Sequence, residues 1–102
     1  MTAAVERGVV LSASAPGTLA VSGVLSFDTA ASALRDIQAA LAKGLVTKLD
    51  LAGVRHSDSA GLSCVLAVAA EAARRGHALQ VVPVPAGMQE LAQVCEVDRL
   101  LG

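Results

Sequence analysis

Strand-like and helix-like segments alternate along this sequence, and the alternation is the strongest limit on how the chain can fold. Two short apolar runs come first, Gly8–Ala13 and Thr18–Ser26. The segment Ser14-Ala15-Pro16-Gly17 lies between them, and a Pro-Gly step between apolar runs is typical of a hairpin turn. The sequence therefore predicts that the fold opens with two antiparallel strands.

A helix is predicted next, because apolar residues recur at helical spacing at Ala33, Leu34, Ile37 and Leu41. Asp28 is the predicted N-cap, since its carboxylate can accept a hydrogen bond from a free backbone N–H. Lys43 and Gly44 supply the C-terminal signals, which are a cation in the last turn and a residue that tolerates positive φ.

The second half of the chain continues the same alternation. A third strand is predicted at Val46–Leu51, a second helix at Ala60–Arg75, and a buried fourth strand at Ala78–Val82. The last helix is marked by Met88, Leu91, Ala92 and Val94. The order β-β-α-β-α-β-α predicts one α/β domain over residues 1–102, with a mixed, mostly parallel four-stranded sheet and helices packed on it. Its helix-linked strands should be parallel neighbours, and the leading hairpin should add an antiparallel edge.

Composition excludes several classes of function. Apolar residues make up 54% of the chain but include one aromatic residue, Phe27, so the core must be built from Ala, Val and Leu. The net charge of −1, without any run of basic residues, argues against nucleic-acid binding. The longest apolar stretch, Ala60–Ala70, stops at Glu71 and is shorter than the roughly 18 residues of a membrane span. The prediction is a soluble chain without direct membrane insertion.

The cysteines and histidines do not have the spacing of a metal site. Cys64 and Cys95 are expected to be reduced and to lie in apolar surroundings as small hydrophobes, which fits a cytoplasmic protein. His56 and His77 lack metal-ligand spacing with each other and with the cysteines. No metal and no cofactor are predicted.

The most informative segment is Leu49–Leu62, which is expected to contain a strand end, a short polar loop and the start of a helix. Asp58 is the better N-cap candidate and Ser57 the alternative, which places Ser59 at the first helical position. Free N–H groups and the helix dipole favour an anion there. A phosphate on Ser59 would add about −1.5 to −2 charges beside Asp58.

Capping alone also explains a cluster of Ser, Asp and Gly at a strand-to-helix turn. Gly61 is harder to explain by capping, since Gly in a helix costs roughly 1 kcal/mol relative to Ala. Its presence indicates close backbone approach, either by a neighbouring strand or by a partner.

This segment resembles the signature of the STAS domain. Asp50-Leu51 is followed by Val54, then by Arg55–Asp58, and then by Ser59-Ala60-Gly61-Leu62. The resemblance extends over essentially the whole chain. The family includes anti-sigma factor antagonists, the cytoplasmic tails of sulfate transporters and MlaB-like subunits of bacterial lipid-asymmetry ABC transporters.

The resemblance implies a protein-binding module without catalysis. In the antagonists the serine matching Ser59 is phosphorylated by a partner kinase, and the position of Asp58 supports recognition. In MlaB-like subunits the position of Ser59 lies in the contact with the cytoplasmic ATPase subunit. The predicted partner-binding residues are therefore His56, Ser57, Asp58, Ser59, Ala60, Gly61, Leu62 and Ser63.

Two details favour the transporter subunit over the antagonist. Ala60 follows Ser59, as is common in MlaB-like chains, whereas antagonists commonly have Ser or Thr there. The chain also ends soon after the last helix. The expected partner is the ATPase subunit, which would hold the chain at the cytoplasmic face of the inner membrane; the alternative partner is an anti-sigma factor kinase.

An enzyme is not expected. Ser59 and His56 are three residues apart on one turn, whereas a catalytic base is placed by separate structure. The nucleophile-elbow pattern and the Walker-type glycine loop are both missing from the sequence.

Overall fold

A computed structural model of the chain describes residues 9–43, 46–76 and 79–101. Four strands and three α-helices follow one another, and a short 3-10 helix, Asp98–Leu101, ends the described chain. In chain order they are β1 (Val9–Ala15), β2 (Thr18–Leu25), α1 (Ala30–Lys43), β3 (Lys48–Ser57), α2 (Ser59–Arg74), β4 (Gln80–Val81) and α3 (Ala86–Val94). Among these residues no helix is both long and apolar enough to cross a membrane.

The predicted topology is confirmed. The sheet has the order β1-β2-β3-β4. β1 and β2 form an antiparallel hairpin around Pro16 and Gly17, and Gly17 has the positive φ of 77° that this turn requires. β2 pairs with β3, and β3 with β4, in parallel. The two helix-linked steps therefore produce parallel neighbours, as the alternation of segments indicated.

β3 is much longer than predicted. It runs to Ser57, because its parallel pairing with β2 continues to the pair Leu25 and Ser57. The register shifts twice on the way, and at each shift β3 carries one extra residue, which is the geometry of a β-bulge. The buried residues of β3 are consequently Leu49, Leu51 and Val54, so regular alternation stops near Leu51. The prediction of a short polar loop between this strand and the next helix is wrong, because His56 and Ser57 belong to the strand and only Asp58 separates it from the helix.

Two other predicted boundaries also change. β4 contains only Gln80 and Val81, which pair with Lys48 and Leu49. The nearby Pro83 has no backbone N–H to continue a ladder. Ala78, at the start of the predicted strand, lies outside the described residues, as do Gly8, Gly44 and His77.

The predicted N-cap of α1 is also corrected. The helix begins at Ala30, so Thr29 and not Asp28 directly precedes it. The carbonyl of Thr29 accepts from the N–H of Ala33 at 2.9 Å, as a cap carbonyl does. Its hydroxyl oxygen accepts from the N–H of Ser26 at 2.9 Å and donates to the carbonyl of Val24 at 2.8 Å. Thr29 therefore joins the end of β2 to the start of the helix.

The core is aliphatic, as the composition required. α1 and α2 contact each other, and the predicted apolar stripe of α1 faces the core, with Ala33 and Ile37 buried. Cys64 lies in this core, where desolvation raises the pKa of its thiol. Cys95 is exposed, so its predicted apolar surroundings are wrong. The fully buried large side chains are Leu25, Ile37, Leu49, Leu51, Met88, Val21, Val65 and Val68.

Gly61 lies where α2 passes closest to the end of β2. A Cβ atom at this position would stand 2.2 Å from the carbonyl oxygen of Leu25 and 2.6 Å from the hydroxyl oxygen of Ser57. Both distances are far below contact distance, and the first involves backbone that cannot rotate away. Of the two explanations for this glycine, the neighbouring strand accounts for it.

We expect Gly61→Ala to lower the free energy of unfolding by about 2 kcal/mol or more, because the start of α2 must move away from β2. Gly87→Ala is the matched control, since a Cβ at that helical glycine meets open space. It should leave stability unchanged or raise it by up to about 1 kcal/mol. Urea unfolding followed by circular dichroism measures both. Equal stability of the two variants would contradict the close approach.

Candidate partner-binding site

The candidate site lies where β2 and β3 end side by side. Leu25 and Ser57 are the last paired residues of these parallel strands. The chain then continues into the β2–α1 loop after β2, and into Asp58 and helix α2 after β3. Binding residues in open sheets of parallel strands commonly lie at this carboxyl edge. The site is therefore formed by the β2–α1 loop and the start of α2, which leave the sheet together.

Asp58 joins the β2–α1 loop to the start of α2 through its carboxylate. One oxygen, Oδ1, accepts from the backbone N–H groups of Ala60 at 2.9 Å and Gly61 at 3.1 Å. The other oxygen, Oδ2, accepts from the backbone N–H of Phe27 at 3.1 Å. The N-H groups of Gly61 and Phe27 contribute most to holding the pKa of Asp58 below its ordinary value, because they stabilise the charged form. The N-cap role predicted for Asp58 is confirmed.

Ser59 is the first residue of α2, as predicted, and its side chain is exposed. The expected free N–H groups beside it are already used. Those of Ala60 and Gly61 bind the carboxylate of Asp58, and that of Leu62 donates to the Asp58 carbonyl at 3.0 Å. The N–H groups of the three residues that follow Ser59 therefore offer a phosphate no unpaired donor. Its charge would instead lie beside an ionised carboxylate and face outward.

The other predicted site residues divide by exposure. His56 and Ser63 are exposed, while Ser57 and Ala60 are half-buried. Gly61 and Leu62 are buried in the domain. A docking protein can therefore reach His56, Ser59 and Ser63, which lie within about one helical turn of the strand end. The buried residues Gly61 and Leu62 hold the start of α2 against the rest of the domain.

A shallow cleft continues the site toward the last helix. Its volume is about 130 Å³, and it lies between the end of β3 and the start of α3. It is lined by Val54, Arg55, His56, Ser57, Pro85, Gly87 and Met88. The predicted surface around His56 is thus continuous with the beginning of α3.

Phe27 lies at the site, although the sequence predicted no role for it there. It is the one aromatic residue of the chain, and 81% of its surface is exposed. Its backbone N–H is bound by Asp58, so its loop and the start of α2 are held together. The available signal was its position: a lone aromatic residue stands between a strand and a polar helix start.

Neither a hydrogen-bonded Ser59–His56 pair nor a metal-ligand cluster is present within the described residues. No hydrogen bond joins Ser59 and His56 there, in contrast to a nucleophile–base pair. In the same part of the chain, no group of three or more His, Cys, Asp and Glu side chains could hold a metal ion.

Comparison with known proteins identifies the family. The family model described as "Mlab, STAS domain" matches residues 10–102, and the chain therefore belongs to this STAS domain family. Proteins of this kind are typically regulators and binding modules without catalysis. A comparison with curated protein sequences found no match.

Two solved structures are similar in fold. The anti-sigma factor antagonist SpoIIAA in its unphosphorylated form has a TM-score of 0.69 and 17% identity, with 90% of this chain and 84% of that chain covered. The Bacillus cell fate determinant SpoIIAA in the phosphorylated form has a TM-score of 0.65 and 18% identity, with 90% and 86% covered. At this identity the likeness establishes the fold alone, and it confirms the predicted STAS-like architecture.

We expect Asp58→Asn to lower the melting temperature at neutral pH by roughly 4–8 °C, since the amide loses the charge and presents an N–H group to an N–H donor. Because the pKa of Asp58 is lowered by folding, its contribution is present above its ordinary value near 4 and is lost as the pH falls below it.

The stability difference between wild type and Asp58→Asn should therefore shrink between about pH 5 and pH 2, as followed by thermal unfolding. Asp28→Asn is the control in the same loop, and it should leave the melting temperature within about 2 °C of wild type. A difference that stayed constant over this pH range would contradict the assigned role of the carboxylate.

Proposed function

We propose that this chain is a non-catalytic STAS subunit that binds and supports the cytoplasmic ATPase subunit of a phospholipid-transporting ABC transporter. The transporter would maintain lipid asymmetry of the outer membrane, and the chain would reside at the cytoplasmic face of the inner membrane through this complex. The docking surface consists of His56–Ser63 together with α3. The observation that carries the proposal is the exposed Ser59 at the start of a helix whose position is fixed by the sheet.

The geometry of this surface supports binding of a folded protein. His56, Ser59 and Ser63 are exposed, and the backbone beneath them is held by strand pairing and by the carboxylate of Asp58. A surface that is already ordered loses little conformational entropy when a partner docks. Half-buried Ala60 adds no bulk beside Ser59, so a partner helix can approach closely.

The family model supports the choice of partner, since its description names Mlab. The sequence supports it through Ala60, which directly follows Ser59 as in MlaB-like chains. The ATPase subunit supplies nucleotide hydrolysis in such a complex, and this chain supplies binding energy that stabilises the ATPase.

A second candidate function is that of an anti-sigma factor antagonist switched by phosphorylation of Ser59. Two observations favour it: the Ser59 side chain is exposed, and both similar structures are of SpoIIAA, one unphosphorylated and one phosphorylated. In this chain a phosphate would gain no support from the N–H groups of Ala60 and Gly61, which the Asp58 carboxylate occupies. It would act by repulsion at the surface, and the fold would persist.

Co-purification with the ATPase subunit tests the first function. We expect Ser59→Arg to reduce the recovered ATPase subunit at least tenfold, because the added bulk and charge enter the contact. Gln38→Arg is the matched control, since it adds the same charge at an exposed position on α1 outside the docking surface. Recovery of the ATPase subunit at wild-type yield with Ser59→Arg would refute the site.

Mass spectrometry separates the second function from the first. The wild-type chain is incubated with ATP and the anti-sigma factor kinase of the same organism, and Ser59→Ala is treated in parallel. The antagonist function requires one phosphate on Ser59 in the wild type and none on the variant. If the wild-type chain stays unmodified, the antagonist function is contradicted and the transporter-subunit function remains.

A further inference from the structure

Phe27 is exposed, although it is the one aromatic residue of the chain. The core is built mainly from aliphatic residues instead. The ring of Phe27 is the largest apolar surface that the chain could bury, yet 81% of the residue faces solvent. The domain therefore gains almost nothing from this aromatic side chain in its own folding. Aromatic residues, Phe included, are enriched in the cores of protein–protein interfaces, and an anchor buried in a pocket of the partner can carry a large share of the binding energy.

The loop that carries Phe27 is held by hydrogen bonds on both sides. Its own N–H donates to Asp58 at 3.1 Å. The N–H of Ser26 donates to the Thr29 hydroxyl at 2.9 Å, and that hydroxyl donates to the carbonyl of Val24 at 2.8 Å. The ring is therefore presented from an ordered backbone, which lowers the entropy lost when a partner covers it.

Phe27 and Ser59 stand side by side at the edge of the sheet. Each is two residues beyond a member of the last β2–β3 pair, Leu25 and Ser57. Paired strands lie about 4.8 Å apart, so the two positions leave the sheet as neighbours. The carboxylate of Asp58 binds the backbone N–H of Phe27 and that of Ala60, the residue after Ser59. A protein that docks over Ser59 therefore approaches the loop that carries Phe27.

The charges around the ring define the chemistry of the opposing surface. Asp28 follows Phe27 directly and is exposed, and the carboxylate of Asp58 is hydrogen-bonded to the Phe27 N–H. Two carboxylates thus accompany one apolar ring. Such a surface is complementary to an apolar pocket with basic residues at its rim.

We propose that Phe27 is the apolar anchor of the docking surface and inserts into an apolar pocket of the ATPase subunit whose rim carries Lys or Arg. This inference rests on the proposed function, and it adds a residue and a partner chemistry that Ser59 alone does not specify. Asp28 contributes by pairing with the basic rim, and its contribution decreases with added salt.

Isothermal titration calorimetry with the purified ATPase subunit tests the anchor. Phe27→Ala should weaken the affinity at least tenfold, and Phe27→Leu should lie between it and the wild type, because part of the apolar volume is kept. Asp28→Lys should weaken the affinity several-fold at low salt and less at high salt. Leu100→Ala is the matched control, since Leu100 is an exposed apolar residue outside the docking surface.

The outcomes separate the anchor from the function on which it rests. If the wild type binds, Ser59→Arg abolishes binding and Phe27→Ala leaves it unchanged, the anchor is overturned and the proposed function is kept. Failure of the wild type to bind the ATPase subunit overturns both. Equal losses with Phe27→Ala and Leu100→Ala would also overturn the anchor. Circular dichroism shows that each variant is folded, and exposed Phe27 should tolerate substitution.

Discussion

The carboxylate of Asp58 is the interaction on which the geometry of the site depends. It accepts from two N–H groups at the start of α2 and from the N–H of Phe27 in the β2–α1 loop. One side chain therefore caps α2 and attaches the β2–α1 loop to it. Because both of its oxygens are used, it fixes the position of Ser59 relative to Phe27. A single ionised group thus converts two chain segments that are distant in sequence into one surface.

The length of β3 determines how rigid that surface is. Pairing with β2 continues to Ser57, so the strand delivers Asp58 directly to the helix without an intervening loop. Gly61 then allows α2 to lie against the carbonyl of Leu25, where any side chain would collide. The start of α2 is consequently held in two ways. It packs against the end of β2, and the carboxylate of Asp58 caps it. These constraints suit a surface that binds a partner without rearranging.

Electrostatics distinguish the two candidate functions in physical terms. A helix start usually favours an anion, but in this chain the N–H groups of Ala60 and Gly61 are occupied by a carboxylate of the chain itself. A phosphate on Ser59 would therefore change the contact with a partner and would barely change the structure of the domain. A neutral Ser59 beside an exposed aromatic ring is suited to constitutive docking, which is the simpler use of the surface.

The sequence by itself determined the order of elements, the parallel and antiparallel neighbours, the aliphatic core, the capping role of Asp58 and the place of Ser59. All of these depend on local spacing, capping chemistry and short-range turn signals. Tertiary structure decided the extent of β3, since its bulges interrupt the alternation and only pairing with β2 continues it to Ser57. It also decided why Gly61 is a glycine and brought Phe27 to Asp58, because these contacts join residues from different strands and loops. Local pattern carries no information about such distant partners.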